Sequence, residues 1–141
     1  TGLSHQLHEL TISNRTTEML KVEKWLAELS EKTGLSQRTG FALDLVLNEA
    51  LINTISYGYD DDAEHKIQIS IKDSPADLEV EITNDARPFN PLEVKPAETA
   101  QTLEEASIGG RGILLMKKYC NEMKYCYSEH QNHLCLTINK E

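Results

Sequence analysis

The sequence predicts an α+β fold, a two-layer α/β sandwich in which one mixed, mainly antiparallel sheet carries its helices on one face. Three observations predict it. Apolar residues alternate with period two in five short segments, four of them grouped as two hairpins. In three other runs they recur with helical period. No internal repeat or linker interrupts the 141 residues, so 1–141 is expected to form one domain; a chain near that length buries roughly 70% of its unfolded surface.

The elements follow in order. His8 to Ile12 alternates weakly and reads as a strand, after which Asn14 offers a side-chain oxygen to cap a helix. Met19, Leu20, Val22, Trp25, Leu26 and Leu29 form that helix, and Gly34 ends it. Ser36 caps a second helix that runs through Phe41, Leu45, Val46, Ala50 and Ile55 to about Tyr57, where Gly58 stops it. Lys66 to Lys72 and Asp77 to Thr83 alternate around Ser74-Pro75 as a hairpin. Pro88 to Ile108 holds three of the four prolines and has little periodicity, which suits a binding segment, a lid or disorder. Gly109 to Gly112 opens a helix from Ile113 to about Cys120, and strands Glu122 to Tyr127 and His133 to Asn139 close the chain.

Composition narrows the function. With 39% hydrophobic and 26% charged residues the chain is too apolar to remain disordered. A net charge of −9 repels nucleic-acid phosphates, so any effect on transcription is expected to run through a protein. No stretch approaches the roughly 20 apolar residues that span a bilayer, and the polar first ten residues lack a signal pattern, so the expected compartment is the cytoplasm. Cys120, Cys126 and Cys135 are odd in number, without CxxC spacing, and are expected as reduced core filler. Asp60-Asp61-Asp62 is expected as a solvated loop rather than a metal site.

Three motifs point to chemistry. Glu49 and Asn53 are four apart on the second helix and so share a face, about one turn apart. Ala42, Leu45, Val46 and Ile52 fall on that face too, so a polar pair interrupts an apolar stripe. A carboxylate there is costly unless it is paired or wetted by a ligand pocket; a satisfied structural pair or an exposed face are the alternatives. Second, strand alternation puts Leu78, Val80, Ile82 and Asn84 on one face, and the turn-rich Asp85-Ala86-Arg87-Pro88-Phe89-Asn90-Pro91 follows. Third, Gly109-Gly110-Arg111-Gly112 precedes an apolar helix, where free N–H groups and the helix dipole suit a phosphate chain, although glycines also serve as plain breakers.

Together the three resemble the GHKL (histidine-kinase-like) ATPases. Glu49-Ala50-Leu51-Ile52-Asn53 with Tyr57-Gly58-Tyr59 is similar to their N-box, and the Asn84 and Gly109 segments are similar to their two glycine boxes. The resemblance covers about residues 10 to 139 and is closest to the anti-sigma-factor serine/threonine kinases. It implies the GHKL (Bergerat-type) fold, ATP and Mg²⁺ as cofactors, Asn53 as the metal ligand and Glu49 as the general base. Gly109, Gly110, Arg111 and Gly112 would hold phosphates, under a lid at about 90–108. Asn84 falls where the family has an adenine-reading aspartate, Ala86 where a glycine follows, and Pro88 at the next, variable glycine. An amide at position 84 can accept from the exocyclic amine and donate to the adjacent ring nitrogen without charge assistance, a loss of about 1 kcal/mol. A methyl group at Ala86 adds roughly 1 kcal/mol where close approach or positive φ is required. The implied function is phosphorylation of a STAS-type anti-anti-sigma partner, with a sigma factor as a second partner. The alternative is a non-catalytic module that holds such a partner with weak or no nucleotide. A homodimer through the N-terminal strand and helix is a further implied assembly.

Overall fold

The structure, a computed structural model, describes residues 6–90 and 108–140. Strand β1 (Gln6–Ser13) leads through a 3-10 turn, Thr16–Glu18, into helix α1 (Met19–Thr33), and helix α2 (Gln37–Tyr57) follows. Strands β2 (Lys66–Asp73) and β3 (Asp77–Asn84) form the first hairpin. Helix α3 (Ile108–Tyr119) precedes the second, β4 (Glu122–Ser128) and β5 (Gln131–Asn139).

The helix limits have local causes. The Ser36 side chain accepts the Thr39 N–H at 3.1 Å and starts α2. Gly34, at φ 67°, ends α1 in a left-handed turn that only glycine takes without cost. Asn14 does not cap α1. Its side chain accepts the His65 N–H at 2.9 Å and ties the end of β1 to the start of β2, while Glu18 reaches back to accept the Ser13 N–H at 2.9 Å. Helix α3 also departs from expectation, because it starts at Ile108 and takes the glycine run into its first turns instead of following it.

The sheet order is β1-β2-β3-β5-β4, and every neighbouring pair is antiparallel rather than mixed. The crossover through α3 makes β4 parallel to β3, but β5 folds back between them and pairs with both. No parallel pair therefore forms among the described residues. Ile67, Ile69 and Ile71 of β2, Leu78, Val80 and Ile82 of β3, and Leu136 and Ile138 of β5 point to one face. Val22, Leu26 and Leu29 of α1, Leu43, Val46, Leu47, Ala50 and Leu51 of α2, and Met116 of α3 cover it. Each side chain fully buried in this layer adds roughly 1.5–3 kcal/mol.

The opposite face is polar and needs no cover, with Lys72 paired to Glu79 at 3.6 Å. Cys126 and Cys135 lie exposed, so core filling describes Cys120 alone, whose thiol burial pushes up to about 12. Among the described residues no helix is long and apolar enough to cross a membrane.

Candidate functional site

A depression opens where the C-terminal part of α2, the end of β3 with the turn after it, the start of β5 and the middle of α3 converge. Ala50, Asn53, Thr54 and Gly58 line it from the α2 side, Ile82, Asn84, Ala86, Arg87 and Phe89 from β3 and its turn, and Met116, Tyr125, Asn132 and Leu134 from the rest. With its solvent-facing mouth the depression holds about 480 Å³ of space. That is the size of a small-molecule site.

Asn53 is the polar group most in need of a partner there. It is 6% exposed, and its buried Oδ1 makes no hydrogen bond among the described residues. An orphaned buried acceptor costs about 1–3 kcal/mol, so the position calls for a ligand, a cation or water. Glu49 sits one turn earlier, at the margin of the buried stripe rather than in its centre, and is half-buried. Among the described residues its carboxylate makes no hydrogen bond or ion pair, which sets aside the satisfied structural pair.

Asn84, also buried, belongs to a tight knot. Its Oδ1 accepts the Ala86 N–H and the Asn132 Nδ2–H, both at 3.1 Å. Asn132 is the residue opposite Asn84 in the β3–β5 register. Its Nδ2 also donates to the carbonyls of Ala86 and Arg87 at 3.0 and 3.1 Å, and its Oδ1 accepts from the Phe89 N–H at 3.2 Å and the Tyr125 hydroxyl. One amide thus shapes the whole turn after β3. The motifs at Glu49, Asn84 and Gly109 do not reach Asn132, yet its place in the alternation Asn132, Leu134, Leu136, Ile138 marks a polar residue on the core face.

Ala86 does not adopt a positive φ, so the backbone strain expected of a methyl group there is absent. Gly58 makes room for it instead. A Cβ on Gly58 would lie 2.8 Å from the Ala86 Cβ and 2.6 Å from the Thr54 carbonyl oxygen, so the end of α2 and the β3 turn touch only because residue 58 has no side chain. Arg87 strengthens this junction, its guanidinium donating to the Tyr57 carbonyl at 2.7 Å and pairing with Asp60 at 3.4 Å.

The loop from Gly58 to His65 is pinned rather than merely solvated. His65 meets Asp61 through Nε2 at 2.8 Å and Asp85 through Nδ1 at 3.2 Å, and its ring stacks on Tyr59 with centroids 4.5 Å apart. Hydrogen bonds to Asp61 and then Asp85 raise the His65 pKa above 6.5. A histidine whose folded pKa is raised contributes stability that is complete below 6.5 and disappears as pH climbs through the folded value. The melting temperature is therefore expected to fall as pH rises above 6.5, and His65→Gln is expected to flatten that decline. Thermal melts of both proteins across this range check it; an unchanged slope in the variant assigns the pH dependence elsewhere.

Of the other residues singled out by sequence, Pro88 lies exposed on the turn after β3. Gly109, Gly110, Arg111 and Gly112 fall in the first turns of α3. An α-helix leaves its first four N–H groups without intrahelical partners, which in α3 are those of Ile108, Gly109, Gly110 and Arg111. Met116, two turns on, is fully buried in the wall of the depression and brings α3 against it. Residues 91–107, most of the expected lid, lie outside the described residues.

A model described as the histidine kinase-like ATPase domain matches residues 12–138. The serine/threonine-protein kinase BtrW of Bordetella bronchiseptica is 24% identical over 135 residues, covering 96% of this chain and 95% of BtrW. The serine-protein kinase RsbW of Listeria monocytogenes serotype 4a is 26% identical over 109 residues, covering 69% of this chain and 68% of RsbW. Among solved structures, the histidine kinase domain from the Erythrobacter litoralis EL346 blue-light activated histidine kinase aligns with a TM-score of 0.48 at 14% identity, over 84% of this chain and 59% of that one. With its N-box helix, its strand-end turn and its glycine-rich third helix all inside the matched span, the chain belongs to the histidine kinase-like ATPase domain family.

Proposed function

We propose that this chain is an ATP-binding protein serine/threonine kinase that phosphorylates a STAS-type anti-anti-sigma protein and also holds a sigma factor. The observation that carries the reading is the buried Oδ1 of Asn53, unpartnered among the described residues, in the wall of a depression built by α2, β3, β5 and α3. Family membership and the kinase names of BtrW and RsbW support it. The same reading places the protein in the cytoplasm, without direct nucleic-acid contact, and allows a homodimer.

The residues fit the cofactor. Mg²⁺ takes hard oxygen donors, and an amide oxygen with no protein partner is one, so Asn53 would be its ligand from this chain. Asn84, Ala86 and Pro88 would border the base. Backbone N–H groups of Gly109, Gly110 and Arg111, with the Arg111 cation, would hold the phosphates, and Gly112, without a side chain, would leave room for them. When bound, Mg-ATP supplies an activated γ-phosphoryl group. Glu49, free of competing bonds and one turn from Asn53, would accept the proton of the attacking serine hydroxyl; a carboxylate can do so, whereas the amide of Asn53 cannot.

A second reading, a non-catalytic module that binds the same partners, draws on the engaged Oδ1 of Asn84. Transfer of radiolabelled phosphate from ATP to a STAS protein, set beside a binding assay without nucleotide, separates the two. Label on the STAS serine supports the kinase. Tight binding without any transfer supports the module.

A further inference from the structure

The cavity presents Asn84 to a ligand as a hydrogen-bond donor only, and we infer that the site favours purines with a keto oxygen at C6, guanine and hypoxanthine, over adenine. This rests on the reading of the depression as a nucleotide site. The orientation of the Asn84 amide is not arbitrary. The Ala86 backbone N–H, 3.1 Å away, can only donate, so the atom facing it is the oxygen. The Asn132 amide is fixed in the same way by the Phe89 N–H at 3.2 Å, which holds its oxygen toward Phe89 and turns its nitrogen toward Asn84.

An amide oxygen has two acceptor directions, and Asn84 has used both. Its Nδ2 forms no hydrogen bond among the described residues, while the side chain lines the cavity. The unpaired buried acceptor nearby, Asn53 Oδ1, is the cation ligand in this reading. The base therefore meets a donor at Asn84 and lacks an acceptor there. A 6-keto oxygen accepts from that donor. Adenine can offer that donor only its ring nitrogen N1, which leaves its 6-amino group without an acceptor and costs about tenfold in affinity.

Asn84→Asp inverts the chemistry at nearly constant shape. One carboxylate oxygen keeps the bonds from Ala86 and Asn132, and the other replaces Nδ2 with an acceptor. The experiment is calorimetric titration of the full chain with the Mg complexes of ATP, GTP and ITP. GTP and ITP are expected to bind about equally and about tenfold more tightly than ATP, with the order reversed in Asn84→Asp. Wild-type affinity for ATP equal to or above that for ITP overturns the inference while the nucleotide site stands. Tight GTP with weak ITP also overturns it, since the 2-amino group would then carry the preference. Absence of binding by all three at millimolar concentration removes both the inference and the nucleotide site. Should the variant not fold, the wild-type series decides alone.

Discussion

Replacement of Glu49 by glutamine is expected to slow phosphoryl transfer by about 10²–10⁴-fold while leaving Mg-nucleotide affinity within about threefold. Glutamine keeps the shape of the side chain but cannot take a proton near neutral pH. The fold should not notice the change, because Glu49 lies at the edge of the buried stripe of α2 and makes no hydrogen bond or ion pair among the described residues. An unaltered melting temperature, unaltered nucleotide binding and a collapsed single-turnover rate would together assign the proton to Glu49. Equal turnover in the variant would place the base elsewhere.

The second large effect concerns stability. Asn132→Leu fills the same space but deletes the amide that meets Asn84, the carbonyls of Ala86 and Arg87, the Phe89 N–H and the Tyr125 hydroxyl. Each buried group left unpaired costs about 1–3 kcal/mol, and partial relaxation of the turn brings the expected total to about 3 kcal/mol. Urea unfolding measures this, with nucleotide affinity lost in parallel because Asn84 and Ala86 lose their support. A loss under about 1 kcal/mol would mean that the turn after β3 is held by other contacts.

What could be read in the sequence was what local periodicity encodes. The alternation in Ile67, Ile69 and Ile71 and the helical spacing of Val22, Leu26 and Leu29 led to the right elements within a few residues, because each side chain is buried by its own position along the element. Asn53 and Asn84 were legible for the same reason, being polar residues on buried faces. Long-range pairing was not legible. Asn14 has the chemistry of a helix cap, yet its partner His65 is 51 positions away. The start of α3 departs from the sequence expectation because glycine disfavours a helix by about 1 kcal/mol per residue, whereas the helix runs through the glycines from Ile108. The insertion of β5 between β3 and β4, which makes the sheet wholly antiparallel and sets Asn132 against Asn84, follows from the folded topology alone.

The proposed activity requires that Asn53 and Asn84 border a site for a magnesium-bound nucleoside triphosphate. Equilibrium titration of wild type and Asn53→Ala with Mg-ATP and with Mg-GTP, followed by calorimetry, tests that most directly. Binding by the wild type that requires Mg²⁺ and weakens at least tenfold in Asn53→Ala is the predicted result. Equal affinity in the two proteins, or no binding by the wild type at millimolar nucleotide, would contradict it.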